Sequence, residues 1–486
     1  MTRTATNPVA TNPVATTATA DAPIRDYRDL PGPRGWPLLG NLGQFDKASF
    51  HRSLEEGVAR WGTMYRFRLG RFKVMVVSEP ALMQSLLKDR PQNWQRGARL
   101  SRLLSSMGPR GVFSAEGEDW RRQRKLVTRG LNPEVIRKFH PKLAEICQRL
   151  VTLWTQAAGS AAAPDLMRDI KSVTLDVTVA LAMGEDVNTL EQPDNPLPMD
   201  IHSLFERVGA RLRAPLPYWH WFKLPVDRAA DAAVARVQTA VGGFVDRARA
   251  RMAAQPALRG RPSNLMEAFV AARDEADSGV TDADVIGNAM TMVFAGEDTT
   301  ASTLCWAVFL LAQHPQVADK LAAEVDAVLG ERRVPPDTAC LEQLPYTEAV
   351  VHEVLRLKPA APMMALESAQ ERIVGGVRVP AGVLVMMPMR EPALRPETFE
   401  APTEFRPERW LGQLDVASDS QRRMTPFGAG PRMCPGRYLA LVEAKTVLAS
   451  IVRNFTLKPS DDTTPVIELY TFTMNPSHLP VRVTPR

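Results

Sequence analysis

The sequence predicts a mainly α protein with small peripheral β-sheets. Helical periodicity runs through most of the 486 residues, while strand-like stretches are short and confined to a few places. The clearest helix covers residues 281–313. Thr281 with Asp284 three residues later reads as a capped start, and Pro315 forbids continuation beyond about Gln313. That is about 50 Å of helix at ~1.5 Å per residue. Val285, Met290, Met292, Val293, Trp306, Phe309 and Leu310 leave it little consistent polar face, so it is expected to cross the core.

The remaining elements follow in chain order. Residues 1–29 repeat Thr-Asn-Pro-Val-Ala, are rich in Ala and Thr and have almost nothing large to bury, which predicts a disordered tail ahead of one domain over 30–486. The tail has neither a signal-peptide core nor a bilayer-length apolar run, so a soluble, cytoplasmic protein without a membrane anchor is expected. Leu30–Pro37 is rich in turn residues, and Tyr65–Leu69 with Phe72–Val77 reads as a hairpin. Further strand-like stretches fall at Ile373–Val379, Val383–Met387, Val466–Phe472 and Leu479–Val483. Cys147, Cys305, Cys340 and Cys434 form no CxxC pair or zinc-type cluster, which fits a reducing compartment. The net charge of +6 comes with no nucleic-acid motif, and no nucleic-acid partner is expected.

Two stretches carry chemistry. In Phe427–Gly436 the glycines permit a loop that folds back on Cys434, Pro435 suits a helix start, and a helix pattern begins near Arg437. A sulfur at a helix N-terminus beside Arg432 is expected to favour the thiolate, a good axial ligand for haem iron. Within the long helix, Ala295-Gly296-Glu297-Asp298-Thr299-Thr300 places a glycine, two acids and two hydroxyls where packing alone prefers Ala or Leu. Thr299 can bond back to the carbonyl at 295 and loosen the ladder, making a notch that binds a ligand or relays protons. Glu297 is expected to reach solvent.

Phe427, Gly430, Arg432, Cys434 and Gly436 fall on the FxxGxRxCxG signature, and the chain thereby resembles the cytochromes P-450, as a soluble bacterial-type member. Three further motifs agree in order: Trp120 and Arg124 match WxxxR, residues 295–299 match (A/G)GxDT, and Glu353 and Arg356 match ExxR ahead of Phe405–Trp410. The resemblance implies the cytochrome P-450 fold and haem b (iron protoporphyrin IX) held by Cys434. Thr299 would hydrogen-bond dioxygen, and Asp298 would help deliver protons. Glu353, Arg356 and Arg409 would form a buried network that sets the cysteine loop, and Trp120, Arg124 and Arg432 would hold a haem propionate. Val112, Phe113, Met292, Val293, Ala295, Met363, Met364 and Phe472 would line the substrate pocket.

The activity implied is monooxygenation of an apolar small molecule (a fatty acid, terpenoid or polyketide-like compound) with O2. NAD(P)H would act indirectly, through a separate ferredoxin or flavodoxin-type donor and its reductase, because little chain follows the cysteine helix. Arg121, Arg122, Lys125 and Arg129 would remain free to attract an acidic donor. An isomerase or dehydratase that does not use O2, and a non-catalytic haem sensor, share the cysteine ligand. Two places depart from the family pattern: no Arg stands in Pro362–Ser368, and Ala393–Pro396 replaces the frequent His-Arg-Asp-Pro.

Overall fold

The computed structural model describes residues 23–46, 48–105, 111–158, 164–192, 194–214, 217–275, 278–412 and 424–486. Most of the tail, residues 1–22, lies outside them. Its last residues do not match the expected tail: β1 (Arg25–Asp26) pairs in parallel with β7 (Val377–Val379), and Tyr27 is buried with its hydroxyl donating to Val74 O at 3.1 Å. The folded part therefore begins before residue 30, because an aromatic ring between Asp26 and Arg28 finds a core to enter.

The helices are α1 (Phe50–Trp61), α2 (Pro80–Lys88), α3 (Ala98–Ser105), α4 (Gly117–Gly130), α5 (Pro133–Ala158), α6 (Leu166–Met183), α7 (Pro196–Arg213), α8 (Pro225–Ala254), α9 (Leu265–Asp274), α10 (Asp282–Gln313), α11 (Pro315–Leu329), α12 (Thr338–Glu342), α13 (Pro345–Leu357) and α14 (Arg437–Asn454). The strands are β1, β2 (Met64–Leu69), β3 (Phe72–Val77), β4 (Gln95–Arg96), β5 (Met363–Glu367), β6 (Arg372–Val374), β7, β8 (Leu384–Pro388), β9 (Phe455–Pro459), β10 (Glu468–Tyr470), β11 (Met474–Pro476) and β12 (Val481–Pro485). The predicted hairpin is β2–β3, and it joins the mixed sheet β2-β3-β8-β5-β4. Small pairs β10–β11 and β12–β9 lie near the C-terminus. Among the described residues no helix is long and apolar enough to cross a membrane.

The long helix α10 forms as its sequence predicts. Thr281 caps it, Thr281 Oγ1 accepting from Asp284 N at 3.2 Å while Asp284 Oδ2 accepts from Thr281 N at 2.8 Å. Its N-terminal half, Val285–Val293, packs with α4, α6, α8 and α9, and its C-terminal half, Ala301–Ala312, packs with α5, α11, α13 and α14. The polar segment 295–300 falls at the seam between these two cores, where neither set of apolar side chains claims it.

A buried ion network ties the outer layers together. Arg390, directly after β8, donates to Glu55 of α1 (2.8 and 2.7 Å) and to Glu468 of β10 (2.7 and 3.1 Å), and His51 bonds Glu468 at 2.8 Å. Burial opposes ionisation of Glu468, but the bonds from His51 and Arg390 win and hold it well below the usual carboxylate range. In this departing segment Glu391 pairs with Arg395 at 2.8 Å, so Arg390, Glu391 and Arg395 supply the local charge pairing.

Candidate active site

The cysteine loop is held by two left-handed glycines, Gly428 (φ 74°) and Gly430 (φ 69°). A β-carbon at Gly430 would lie 2.6 Å from Lys88 Cα and 2.9 Å from Leu87 O, so only glycine lets the loop rest on the end of α2. Cys434 N–H donates to Phe427 O at 2.9 Å and closes the loop. Pro435 precedes Gly436, which caps α14. Cys434 alone of the four cysteines is accessible; the other three are buried, and burial pushes Cys147 and Cys305 up to about 12.

The expected thiolate preference is only partly met. Although its surface is reachable, Cys434 sits recessed among protein atoms, and this desolvation raises its pKa overall; the Gly436 and Arg437 amides and the Arg124 charge act in the opposite direction. The nearby cation is Arg124, whereas Arg432 is turned toward α4. Arg432 Nη2 donates to Ala115 O at 2.7 Å, pairs with Glu116, and its guanidinium lies 4.5 Å from the Trp120 ring centroid.

The ExxR network takes the expected form. Arg356 grips Glu353 through Nε and Nη2, both at 2.8 Å, and Arg409 Nε donates to Glu353 Oε1 at 3.1 Å. Trp410 Nε1 (2.9 Å) and the Arg406 amide (2.9 Å) complete the carboxylate's shell. The outer edge of Arg356 donates to Ala393 O, Pro402 O and Glu404 O, which fastens the segment leading toward the cysteine loop onto α13.

Sequence reasoning missed two arginines that join Arg124 and Arg432. Arg96, on β4, donates from Nη2 to Phe113 O at 3.0 Å, with its guanidinium 4.0 Å from the Phe113 ring centroid; Arg90 Nη1 contacts Met364 Sδ at 3.8 Å. The Nε atoms of Arg90, Arg96 and Arg432 are buried without a protein partner. Desolvation and then the Arg90 charge push Arg96 down to about 9, and desolvation with neighbouring Arg90 and Arg124 pushes Arg432 down to about 10 despite Glu116. Three of these guanidiniums, Arg90, Arg96 and Arg432, feel the one carboxylate of Glu116, and the unspent donors fit the anionic arms of a haem. No sequence motif marks Arg90 or Arg96, since each is an isolated basic residue in a loop or short strand.

On the surface of α4, Arg121 pairs with Glu118, and Arg122 with Asp119 (2.6 Å) and Asp284 (3.4 Å), so these two are not free as expected. Lys125 and Arg129 are exposed, with no ion-pair partner among the described residues.

In the α10 notch, Thr299 Oγ1 donates to Ala295 O at 2.7 Å, as expected, and Thr303 Oγ1 does the same to Thr299 O at 3.1 Å. Ala295 is exposed and Thr299 partly so, although the helix on either side is buried; these two therefore face an interior cleft. Asp298 is buried and accepts from Thr473. Glu297 does not reach solvent: it is 2% exposed, because α6 packs over its side of the helix.

The predicted pocket residues divide. Phe113 and Phe472 meet edge to face, ring centroids 5.9 Å apart, and both are partly exposed. Val112, Met292 and Val293 are buried in the α4–α6–α8–α9 core, which corrects Val293 in particular, 1% exposed, from lining to packing. Met363 and Met364 alternate on β5, Met363 packing on the apolar cluster of α1, β2 and β3 and Met364 toward Arg90, so they cannot line one surface together.

The cytochrome P450 family model matches residues 30–483. Human mitochondrial 25-hydroxyvitamin D-1 alpha hydroxylase is 29% identical over 469 residues, 91% of this chain and 89% of the relative. Cyclooctat-9-en-7-ol 5-monooxygenase of Streptomyces melanosporofaciens is 28% identical over 446 residues, 91% and 92% of the two chains. A self-sufficient cytochrome P450 monooxygenase of Aspergillus kawachii is 25% identical over 472 residues, 95% of this chain but only 44% of the relative, so this chain spans under half of that protein. The sources are mixed and do not single out a bacterial type. With its family match across nearly all of the folded chain, its mainly helical architecture and its accessible loop cysteine, the chain belongs to the cytochrome P450 family and is a haem-dependent monooxygenase of that family.

Proposed function

We propose that this P450 inserts one oxygen atom of O2 into a largely hydrocarbon substrate of the fatty acid, terpenoid or polyketide-like class. Electrons come from a separate ferredoxin or flavodoxin-type donor with an NAD(P)H-dependent reductase. The observation that carries the reading is the accessible Cys434 thiol at the head of α14, on a loop that also carries Arg432, one of the four crowded guanidiniums. Two relatives named for 25-hydroxyvitamin D and cyclooctat-9-en-7-ol support a mainly apolar substrate. Four unpaired cysteines fit a cytoplasmic, reducing setting.

Cys434 Sγ would hold the haem iron, and Arg124, Arg432, Arg96 and Arg90 would hold the propionates, the last two taking the place of the arginine missing from Pro362–Ser368. When bound, haem supplies the iron at which dioxygen is activated. The protein's own work is positional. Thr299 Oγ1, freed from its bond to Ala295 O, offers a hydrogen bond into the cleft, and Asp298 supplies protons to it. Phe113 and Phe472 wall the cleft and keep bulk water from the reacting carbon. Lys125 and Arg129 attract the acidic donor.

The test is turnover with a reconstituted donor and reductase. Product must depend on both O2 and NAD(P)H; conversion without either means an isomerase or dehydratase. Thr299→Ala is expected to lower product per electron, with hydrogen peroxide appearing in place of product, because a proton-handling group in the cleft is lost. Arg96→Met is expected to speed haem loss by about tenfold, the loss of one charge-assisted hydrogen bond, measured by transfer of haem to an acceptor protein.

A further inference from the structure

The side of α10 that faces α6 carries polar groups that the reading above leaves unused. These two helices pack together more extensively than any other pair of elements. Lys171, Thr174 and Thr178 follow one another at helical spacing along one face of α6. Gly296, Glu297 and Asp298 meet that face. A β-carbon at Gly296 would stand 2.4 Å from Thr178 Oγ1, so glycine keeps the helices close. Thr174 Oγ1 donates to Glu297 O at 3.0 Å, and Lys171 Nζ lies 4.0 Å from Asp298 Oδ1. From the C-terminal strands Thr473 Oγ1 donates to Asp298 Oδ2, and Asn475 Nδ2 lies 3.4 Å from Asp298 Oδ1.

Three buried polar atoms in this region have no protein partner: Glu297 Oε2, Thr178 Oγ1 and Asn475 Oδ1. Buried polar atoms are normally satisfied by protein or by ordered water, so these orphans call for water between the elements that carry them. Desolvation and then the Asp298 charge push the Glu297 carboxyl up to about 8, with Lys171 acting against them. This favours the protonated form of Glu297 at neutral pH. One residue along a helix is a turn of about 100°, which separates the direction of Glu297 from that of Asp298 while leaving them neighbours.

We propose that Glu297 is a proton reservoir behind Asp298, passing its carboxyl proton through buried water near Thr178 and Asn475 to the Asp298 carboxylate and taking a replacement from solvent at the edge where Lys171 is exposed. The proposal rests on the P450 reading, in which Asp298 feeds the cleft. One proton moves at each stage: the Glu297 O–H breaks as Asp298 gains a proton. A solvent proton then restores the Glu297 O–H, entering beside Lys171, whose side chain is 16% exposed. Asp298 on the same helix and Lys171 on α6 are the charged groups whose fields act on Glu297.

Infrared difference spectra between pH 6 and 10, in H2O and D2O, provide a test on the protein with or without haem. A protonated-carboxyl band that shifts in D2O and fades as pH rises through about 8 is expected in the wild type and absent from Glu297→Gln. Lys171→Met should move its midpoint to higher pH, because the cation that lowers it is gone. In the haem-loaded enzyme Glu297→Gln should reduce product per electron by roughly threefold, less than the ~10²-fold or more of a donor in direct contact, and should abolish the fall in coupling above pH 8. Thr178→Val should lower coupling while keeping the band. A missing titration, or a fully haem-loaded Glu297→Gln enzyme with unchanged coupling and pH profile, overturns the proposal. A wild-type protein that shows the band but makes no O2-dependent product overturns the monooxygenase reading, and the proton's destination with it.

Discussion

Cys434→Ala removes the long-wavelength Soret band of the dithionite-reduced, carbon monoxide-treated protein and drops product formation to background. No other thiol can take over the ligand position. Cys147, Cys305 and Cys340 are buried, and burial holds the first two near 12, far from the thiolate form at any working pH. The substitution is small and the site accessible, so the loop keeps its shape: the Cys434 amide still donates to Phe427 O, and the glycine contacts with α2 do not involve the sulfur. A folded protein that lacks the long-wavelength band is therefore the expected variant. An unchanged band would remove Cys434 as the ligand.

Glu353→Ala yields little or no haem-loaded protein. The carboxylate is fully buried and receives five hydrogen bonds, from Arg356 (two), Arg409, Trp410 and the Arg406 amide. Removing it strands the Arg356 charge, which is 1% exposed, and leaves the Trp410 indole N–H unpaired. Breaking a buried pair in this way costs about 3–5 kcal/mol. The cost falls where it matters for the cofactor, because Arg356 holds the carbonyls of Ala393, Pro402 and Glu404, and Arg409 holds those of Glu400 and Ala401. Haem content per chain and the thermal midpoint report the two consequences separately. Normal haem content would show that the network does not set the cysteine loop.

Much of the scaffold was written in local signals. The limits of α10 follow from one capping box and one proline, the β2–β3 hairpin from two short strand-like runs close together, and the cysteine loop from two glycines whose left-handed backbone the structure shows. Glu353 and Arg356 pair because residues three apart share a helix face. Each of these depends on neighbours within a few residues, so sequence alone determined them, together with the family and its haem-thiolate chemistry.

Tertiary structure decided the rest, because it concerns which distant segment covers a given face. Glu297 reads as a surface acid until α6, more than a hundred residues earlier, closes over it and makes it a buried carboxyl whose ionisation is opposed by desolvation. Arg90 and Arg96 are unremarkable basic residues until the chain brings them to Arg432, where mutual repulsion and desolvation leave their donors unspent. The Met363–Met364 pair divides between two clusters because a strand turns alternate side chains to opposite faces. The balance at Cys434 is of the same kind: helix amides and Arg124 favour the thiolate locally, while the desolvation that outweighs them comes from the whole fold packed around the loop.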